Sequence, residues 1–185
     1  MSRLTLILGG ARSGKSRHAQ ELAGRGAAGR PVVFVATAQA GDAEMETRIA
    51  RHQADRPIHW QTVEEPLKVA EVLRREQGAA VILVDCLTFF LTNHLLKSGD
   101  AEIWDEAGTE TAVAEMLRAA QKAPAHVILV SNEVGLGLVP ETPLGRVWRD
   151  AAGRANQQAA QAADEVIFMV AGLPLFVKPA PTERA

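Results

Sequence analysis

Eight consecutive residues, Gly9-Gly10-Ala11-Arg12-Ser13-Gly14-Lys15-Ser16, have types and spacing suited to capturing a polyphosphate. Glycines let the backbone turn tightly, so that successive N–H groups face phosphate oxygens. Lys15 is placed to reach the β- and γ-phosphates of a nucleotide, and the Ser16 hydroxyl to help hold Mg²⁺. An apolar run, Leu4 to Leu8, precedes the loop, and a helical pattern from Ser16 to Ala23 follows it. Strand, glycine turn and helix in that order are the context a phosphate loop requires, and the helix adds the positive end of its dipole. The bland alternative, a glycine turn with a surface lysine, does not account for those flanks.

Other residues could join this chemistry. Asp85 ends the apolar run Ala79–Val84, where a carboxylate can hold Mg²⁺ or take a proton from an attacking hydroxyl. The same position also suits an ordinary helix N-cap. Thr37 ends the run Val32–Ala36 and either binds a nucleotide oxygen or simply terminates a strand. His52 closes a polar segment, with Arg48 one turn earlier, Arg51 beside it and Arg56 just after. Three arginines would depress an imidazole pKa and keep a ring nitrogen free as a nucleophile. From the residues alone a solvated basic helix end is the better of the two readings. His18, His59, His94 and His126 have no evident partners, and Cys86, directly after a strand, reads as a small packed side chain.

The elements that must position these residues alternate. Continuous apolar runs at Leu4–Leu8, Val32–Ala36, Ala79–Val84, His126–Val130 and Glu165–Val170 suit a parallel sheet covered on both faces. His59–Glu64 alternates like a short strand and Leu173–Lys178 like an edge strand. Helices are expected over Gly41–His52, Pro66–Gln77, Leu87–Lys97, Trp104–Lys122 and Leu144–Ala163, with Gly24–Pro31 ending the first one. The pattern predicts one α/β domain over residues 1–178, a phosphate-loop nucleotidase fold with a mostly parallel sheet and helices on both faces. Residues 179–185 are expected to be a disordered tail. Ligands should gather at the carboxyl ends of the strands, which places the glycine loop, Thr37, Asp85 and Asn132-Glu133 on one rim.

Composition narrows the partners. The chain has 185 residues, 20 basic against 22 acidic, and one cysteine. Near-balanced charge gives no reason to expect nucleic acid or a polybasic membrane patch. A lone cysteine rules out an internal disulfide and suits a reducing compartment. No apolar stretch is long enough to span a bilayer, and the apolar start stops at Gly9, too short for a signal peptide. The expectation is a cytoplasmic protein.

The motifs GGARSGKS, VATAQ, DAEMETRIARHQADRP, VEEP, LVDCLTFFLTN, VSNEVGLGLVPETPLGRVWRDAAGRANQ and AADEV occur in order from about residue 4 to 178. They resemble the bifunctional adenosylcobinamide kinase / adenosylcobinamide-phosphate guanylyltransferase family of cobalamin biosynthesis. The resemblance implies two reactions. ATP or GTP phosphorylates the aminopropanol hydroxyl of a corrinoid, adenosylcobinamide. GTP then guanylates a histidine, and the GMP passes to the new phosphate to give adenosylcobinamide-GDP. The family's histidine lies in a pattern like RIxxHxxxRP, which runs here from Arg48 to Pro57 and puts it at His52. The resemblance also associates Glu64 and Asp85 with GTP, and Gln53 to Arg56 border the histidine. It implies a homo-oligomer with sites assembled between subunits. Two rivals stand beside it: a small-molecule kinase without nucleotidyl transfer, and a non-catalytic nucleotide switch. A histidine among arginines on a dedicated helix weighs against both.

Overall fold

The apolar runs of the sequence become strands because each is shielded on two sides. A computed structural model describes residues 3–41, 43–54, 56–97 and 104–179. In chain order the elements are β1 (Arg3–Gly9), α1 (Lys15–Ala27), β2 (Val32–Ala36), α2 (Ala43–Ala54), β3 (Gln61–Glu64), α3 (Val69–Arg75) and β4 (Val81–Asp85). Then follow α4 (Leu87–Leu95), α5 (Glu106–Lys122), β5 (His126–Val130), α6 (Pro143–Ala162), β6 (Glu165–Val170) and β7 (Leu173–Lys178). The strands form one seven-stranded sheet in the order β3-β2-β4-β5-β1-β6-β7, with only β7 antiparallel to its neighbour. The expected α/β phosphate-loop architecture is therefore present.

Alternate strand residues feed two cores. On one face Leu4, Leu6, Val35, Val84 and Leu129 meet Leu73 of α3, Phe90 of α4, Met116 of α5 and Ala155 of α6. On the other, Ile7, Phe34, Leu83 and Ile128 meet Ala19, Ala23 and Ala27 of α1, together with Trp60. The helices thus lie on both faces, as a parallel sheet buried on both sides requires.

Several element ends differ from the sequence expectation. The first helix does not stop at Ala23 but runs through Gly24 and Gly26 to Ala27. At Gly26 the helix passes over the sheet, where an added Cβ would make ordinary contacts with His126 Nδ1 at 3.5 Å and Val81 Cγ2 at 3.6 Å. The third helix starts at Val69 rather than Pro66, because the Glu65 carboxylate accepts the N–H groups of Leu67 and Lys68 and holds a turn there. Asp105 caps α5 by accepting from Gly108 N at 2.8 Å, so Trp104 stays outside it. Of the expected tail, 179–185, residues 180–185 lie outside the described residues.

A polar cluster sits at the amino ends of the strands, away from the phosphate loop. Thr5 Oγ1 donates to Glu165 Oε2 at 3.2 Å, so it accepts from His126 Nε2–H at 2.9 Å. Arg3 donates to the same Glu165 oxygen at 2.9 Å. Burial, then the Arg3 charge, push the His126 pKa down to about 4, against an opposing pull from Asp164. Between pH 6.5 and about 4 the unfolded chain binds a proton at this histidine that the folded chain refuses, so stability is lost as pH falls through that window. The loss should be on the order of 3 kcal/mol. Denaturant unfolding at pH 7 and at about pH 4.5 should show it, with a flatter slope in His126→Gln.

Candidate active site

The phosphate loop is shaped by steric necessity at two glycines. A Cβ on Gly9 would lie 2.6 Å from Ser13 Oγ and 2.7 Å from Met169 O, so no larger residue fits where the chain leaves β1. Gly14 has φ +93°, and a Cβ there would stand 3.3 Å from Gly172 Cα. That second contact has a source with no signal in the sequence: the tip of the β6–β7 hairpin braces the loop, with Gly172 N donating to Ser13 O at 3.0 Å. Gly14 caps α1 without a side-chain hydrogen bond, and the first turn holds no acidic residue. Its positive end is thus left to an anion. Lys15 is buried and its Nζ donates to Gly10 O at 2.7 Å, folded back over the loop. Ser13 Oγ is buried with no hydrogen-bond partner among the described residues, an acceptor or donor waiting inside the cradle.

Asp85 shares the rim. The sheet register sets Glu64, Ala36, Asp85, Val130 and Ile7 in one row across five strands. Asp85 therefore stands level with the residue two before Gly9, with only β5 between their strands. Asn132 and Glu133 close the gap at the end of β5, where Glu133 N donates to Gly9 O at 3.0 Å.

Thr37, expected as a nucleotide contact or a strand terminator, is fully buried. Its hydroxyl donates to Cys86 O and accepts from Cys86 N, both at 2.7 Å. That uses the hydroxyl proton and a lone pair on the backbone just after Asp85. The geometry suits the strand-ending role of the two expected, and Asn93 reinforces it by donating to Thr37 O at 2.8 Å. Thr37→Val leaves the buried Cys86 N–H without its partner, while Cys86 O keeps the bond from Phe90 N at 3.2 Å, a loss of about 1–3 kcal/mol and roughly 2–12 °C in Tm. A nucleotide contact would instead cost affinity and leave thermal unfolding unchanged. Cys86 itself is the packed side chain expected, its thiol pushed by burial up to about 11.

The helix carrying His52 meets this corner through its neighbours. For His52, Arg48 and Arg51 the structure describes the helical backbone alone. One residue on, Gln53 Nε2 donates to Glu64 Oε1 at 3.2 Å. Arg56 lies flat over the Phe34 ring, its guanidinium carbon 3.7 Å from the ring centre. Burial lowers the Arg56 pKa, while the Asp85 and Glu64 carboxylates pull it back up, and an arginine so placed stays charged. Its Nε and Nη1 are buried without hydrogen-bond partners among the described residues. Gln53, Arg56, Trp60, Thr62 and Glu64 line an open cavity of about 410 Å³. Arg56 thus brings a permanent positive charge to the cavity wall close to two carboxylates, with two of its donors buried behind the surface.

Comparison with known proteins decides what this geometry belongs to. Residues 5–177 match the family model described as cobinamide kinase / cobinamide phosphate guanyltransferase. This chain belongs to that family. It is 51% identical to the bifunctional adenosylcobalamin biosynthesis protein CobP of Pseudomonas aeruginosa, covering 95% of this chain and 98% of the relative. It is 43% identical to the bifunctional adenosylcobalamin biosynthesis protein CobU of Escherichia coli K12, covering 95% of this chain and 99% of the relative. In fold it is similar to the flagellar accessory protein FlaH of Methanocaldococcus jannaschii, with TM-score 0.55 and 14% identity over 97% of this chain and 79% of that one. That last likeness concerns the fold alone.

The donor set suits the Mg²⁺ expected for a cobinamide kinase. Mg²⁺ is usually held by one or two side chains plus substrate phosphates and water. Ser16 at the start of α1 and Asp85 at the end of β4 are one hydroxyl and one carboxylate of that kind. Among the described residues no group of three His, Cys, Asp or Glu is gathered, so no all-protein cage competes with this arrangement. No helix among the described residues is long and apolar enough to cross a membrane.

Some supporting residues carried little sequence signal. Asn156 sits buried within α6, accepting from Ser131 Oγ at 2.7 Å and donating to Asn132 O at 3.1 Å. Asn132 Nδ2 in turn donates to Thr88 Oγ1 at 2.7 Å. This network ties the end of β5 to α4 and α6. Its hint was an asparagine on the apolar side of an alanine-rich helix, inside the long run from Ser131 to Gln157.

Proposed function

We propose that this protein phosphorylates the aminopropanol hydroxyl of adenosylcobinamide with ATP or GTP, and then transfers GMP from GTP to the new phosphate through His52. The observation carrying this reading is the junction of α2 with the phosphate site. Gln53 and Arg56, on either side of the turn after His52, engage Glu64 and feel Asp85, which shares the rim with the phosphate loop.

In the kinase step the loop N–H groups, Lys15 and the α1 dipole neutralise the transferring phosphoryl group. The acceptor hydroxyl attacks the γ-phosphorus, the bond to the bridging oxygen breaks, and the nucleoside diphosphate leaves. Asp85 takes the proton that this hydroxyl loses, or helps hold the ion while water takes that proton. Ser16 and Asp85 would hold Mg²⁺, which when bound supplies positive charge to the phosphate oxygens. In the second reaction an imidazole nitrogen of His52 attacks the α-phosphorus of GTP and pyrophosphate leaves. A phosphate oxygen of the acceptor then attacks the same phosphorus, and the electron pair of the P–N bond returns to the ring. Arg56 balances the charge of the transferring group. A homo-oligomer is part of the reading, with the open strand β7, exposed at every position, as the surface offered to another copy.

The test is incubation with GTP labelled at the α-phosphate. The protein is expected to take up label that is acid-labile and base-stable, as a P–N bond is, and to release it to cobinamide phosphate. Absence of such label would leave a kinase without nucleotidyl transfer.

A further inference from the structure

The connection from β5 to α6 follows the rim residues directly, and it presents apolar side chains to solvent. Leu136 is 85% exposed, Leu138 95% and Val139 63%. These side chains are not loose ends of a frayed segment. Glu133 Oε1 accepts from Gly135 N at 2.6 Å at the start of the loop. Arg146 Nη1 donates to Pro140 O at 3.1 Å and Glu141 O at 2.7 Å, and Thr142 caps α6. The loop is thus strapped at both ends while its apolar tips point away from the core. Three exposed apolar side chains within four residues of a strapped loop offer a surface to an apolar ligand.

Its position says for what. Glu133 N is bonded to Gly9 O of the phosphate loop, and Leu136 stands three residues further on. An extended chain of that length spans at most roughly 10 Å. The rest of the rim offers Lys15, Ser16, Asp85 and Arg56, which suit phosphates and not a hydrocarbon surface. A cobinamide must place one hydroxyl at the γ-phosphate while its wide macrocycle, edged with methyl groups, stays outside the cradle.

We propose that Leu136, Leu138 and Val139 are the docking surface for the corrinoid body, holding the macrocycle while its arm enters the phosphate site. The inference rests on the cobinamide reading above. It assigns acceptor specificity to the β5–α6 loop and leaves nucleotide chemistry to the residues already described.

The test compares wild type with a Leu136→Ser/Leu138→Ser double variant and a conservative Leu136→Met/Leu138→Met variant. Equilibrium dialysis against cobinamide, followed by its visible absorption, gives Kd. The serine variant is expected to bind about tenfold or more weakly, the methionine variant as wild type does. Label uptake from GTP, which needs no corrinoid, and mass in solution should match wild type in both. Unchanged cobinamide Kd in the serine variant overturns the proposal, as does a change in mass, which would make the loop a contact between copies. Wild type that binds cobinamide but neither phosphorylates it nor takes up label overturns the reaction reading alone. Wild type that binds no cobinamide overturns both.

Discussion

His52→Ala is expected to lose label uptake from α-labelled GTP completely and guanylyl transfer by at least about 10⁴-fold, while kinase turnover stays within a few-fold of wild type. The size follows from the role. A covalent nucleophile has no substitute in its absence, and deleting one from an assembled site typically removes most of the rate enhancement. The kinase step does not pass through the imidazole, so its loss would need a structural cause. None is expected, because among the described side chains of α2, Glu46, Thr47, Ala50 and Gln53 are exposed and none lies in either core. Thermal unfolding should therefore be unchanged. Equal loss of both activities with an unchanged Tm would mean that His52 serves nucleotide binding in general. Retention of label in the alanine variant would assign the nucleophile elsewhere.

The phosphate loop is legible in the amino-acid sequence, and His52 is picked out only by the resemblance of the motif around it. The phosphate loop can be read because part of its constraint is local: a Cβ on Gly9 would meet Ser13 Oγ and Gly14 has φ +93°, whereas the Met169 and Gly172 contacts come from the distant β6–β7 hairpin. Strands buried on both faces leave continuous apolar runs, so the sheet is legible too. Roles set by a distant partner are not. Thr37 falls on the right rim, but nothing in Val-Ala-Thr says that its hydroxyl turns to the Cys86 backbone instead of outward. Gly24 and Gly26 read as helix breakers, because their permissive backbone is visible in a sequence and the Trp60 and His126 side chains lying near them are not. Arg56 reads as one more exposed charge beside His52, and only the fold puts Phe34 beneath it. The same limit applies to Leu136 and Leu138, whose exposure on a strapped loop depends on Arg146 and Thr142. Identity comes from the order of long motifs, whereas the contacts that tune the site come from packing.

Lys15→Ala should distinguish one cradle from two. If the loop holds whichever nucleotide is in use, the variant loses both activities. Kinase turnover should fall about 10²–10³-fold, the scale for removing one charged group that meets developing negative charge. Label uptake at His52 should fall as well, because GTP must be held by its β- and γ-phosphates before its α-phosphorus can meet the imidazole. The folded protein tolerates the change, since Lys15 Nζ contacts the Gly10 carbonyl at 2.7 Å and alanine is favoured inside a helix. Lys15→Arg should not restore activity. The ammonium occupies a buried position 8% exposed, and a planar guanidinium needs a wider space and a different geometry. Loss of kinase turnover with label uptake intact would instead separate the nucleotides, leaving the phosphate loop to the kinase donor and the Arg56 cavity to GTP. The arrangement of the rim favours the single cradle, because Arg56 lies near enough to feel the charge of Asp85, the acid proposed for the kinase step, as well as that of Glu64.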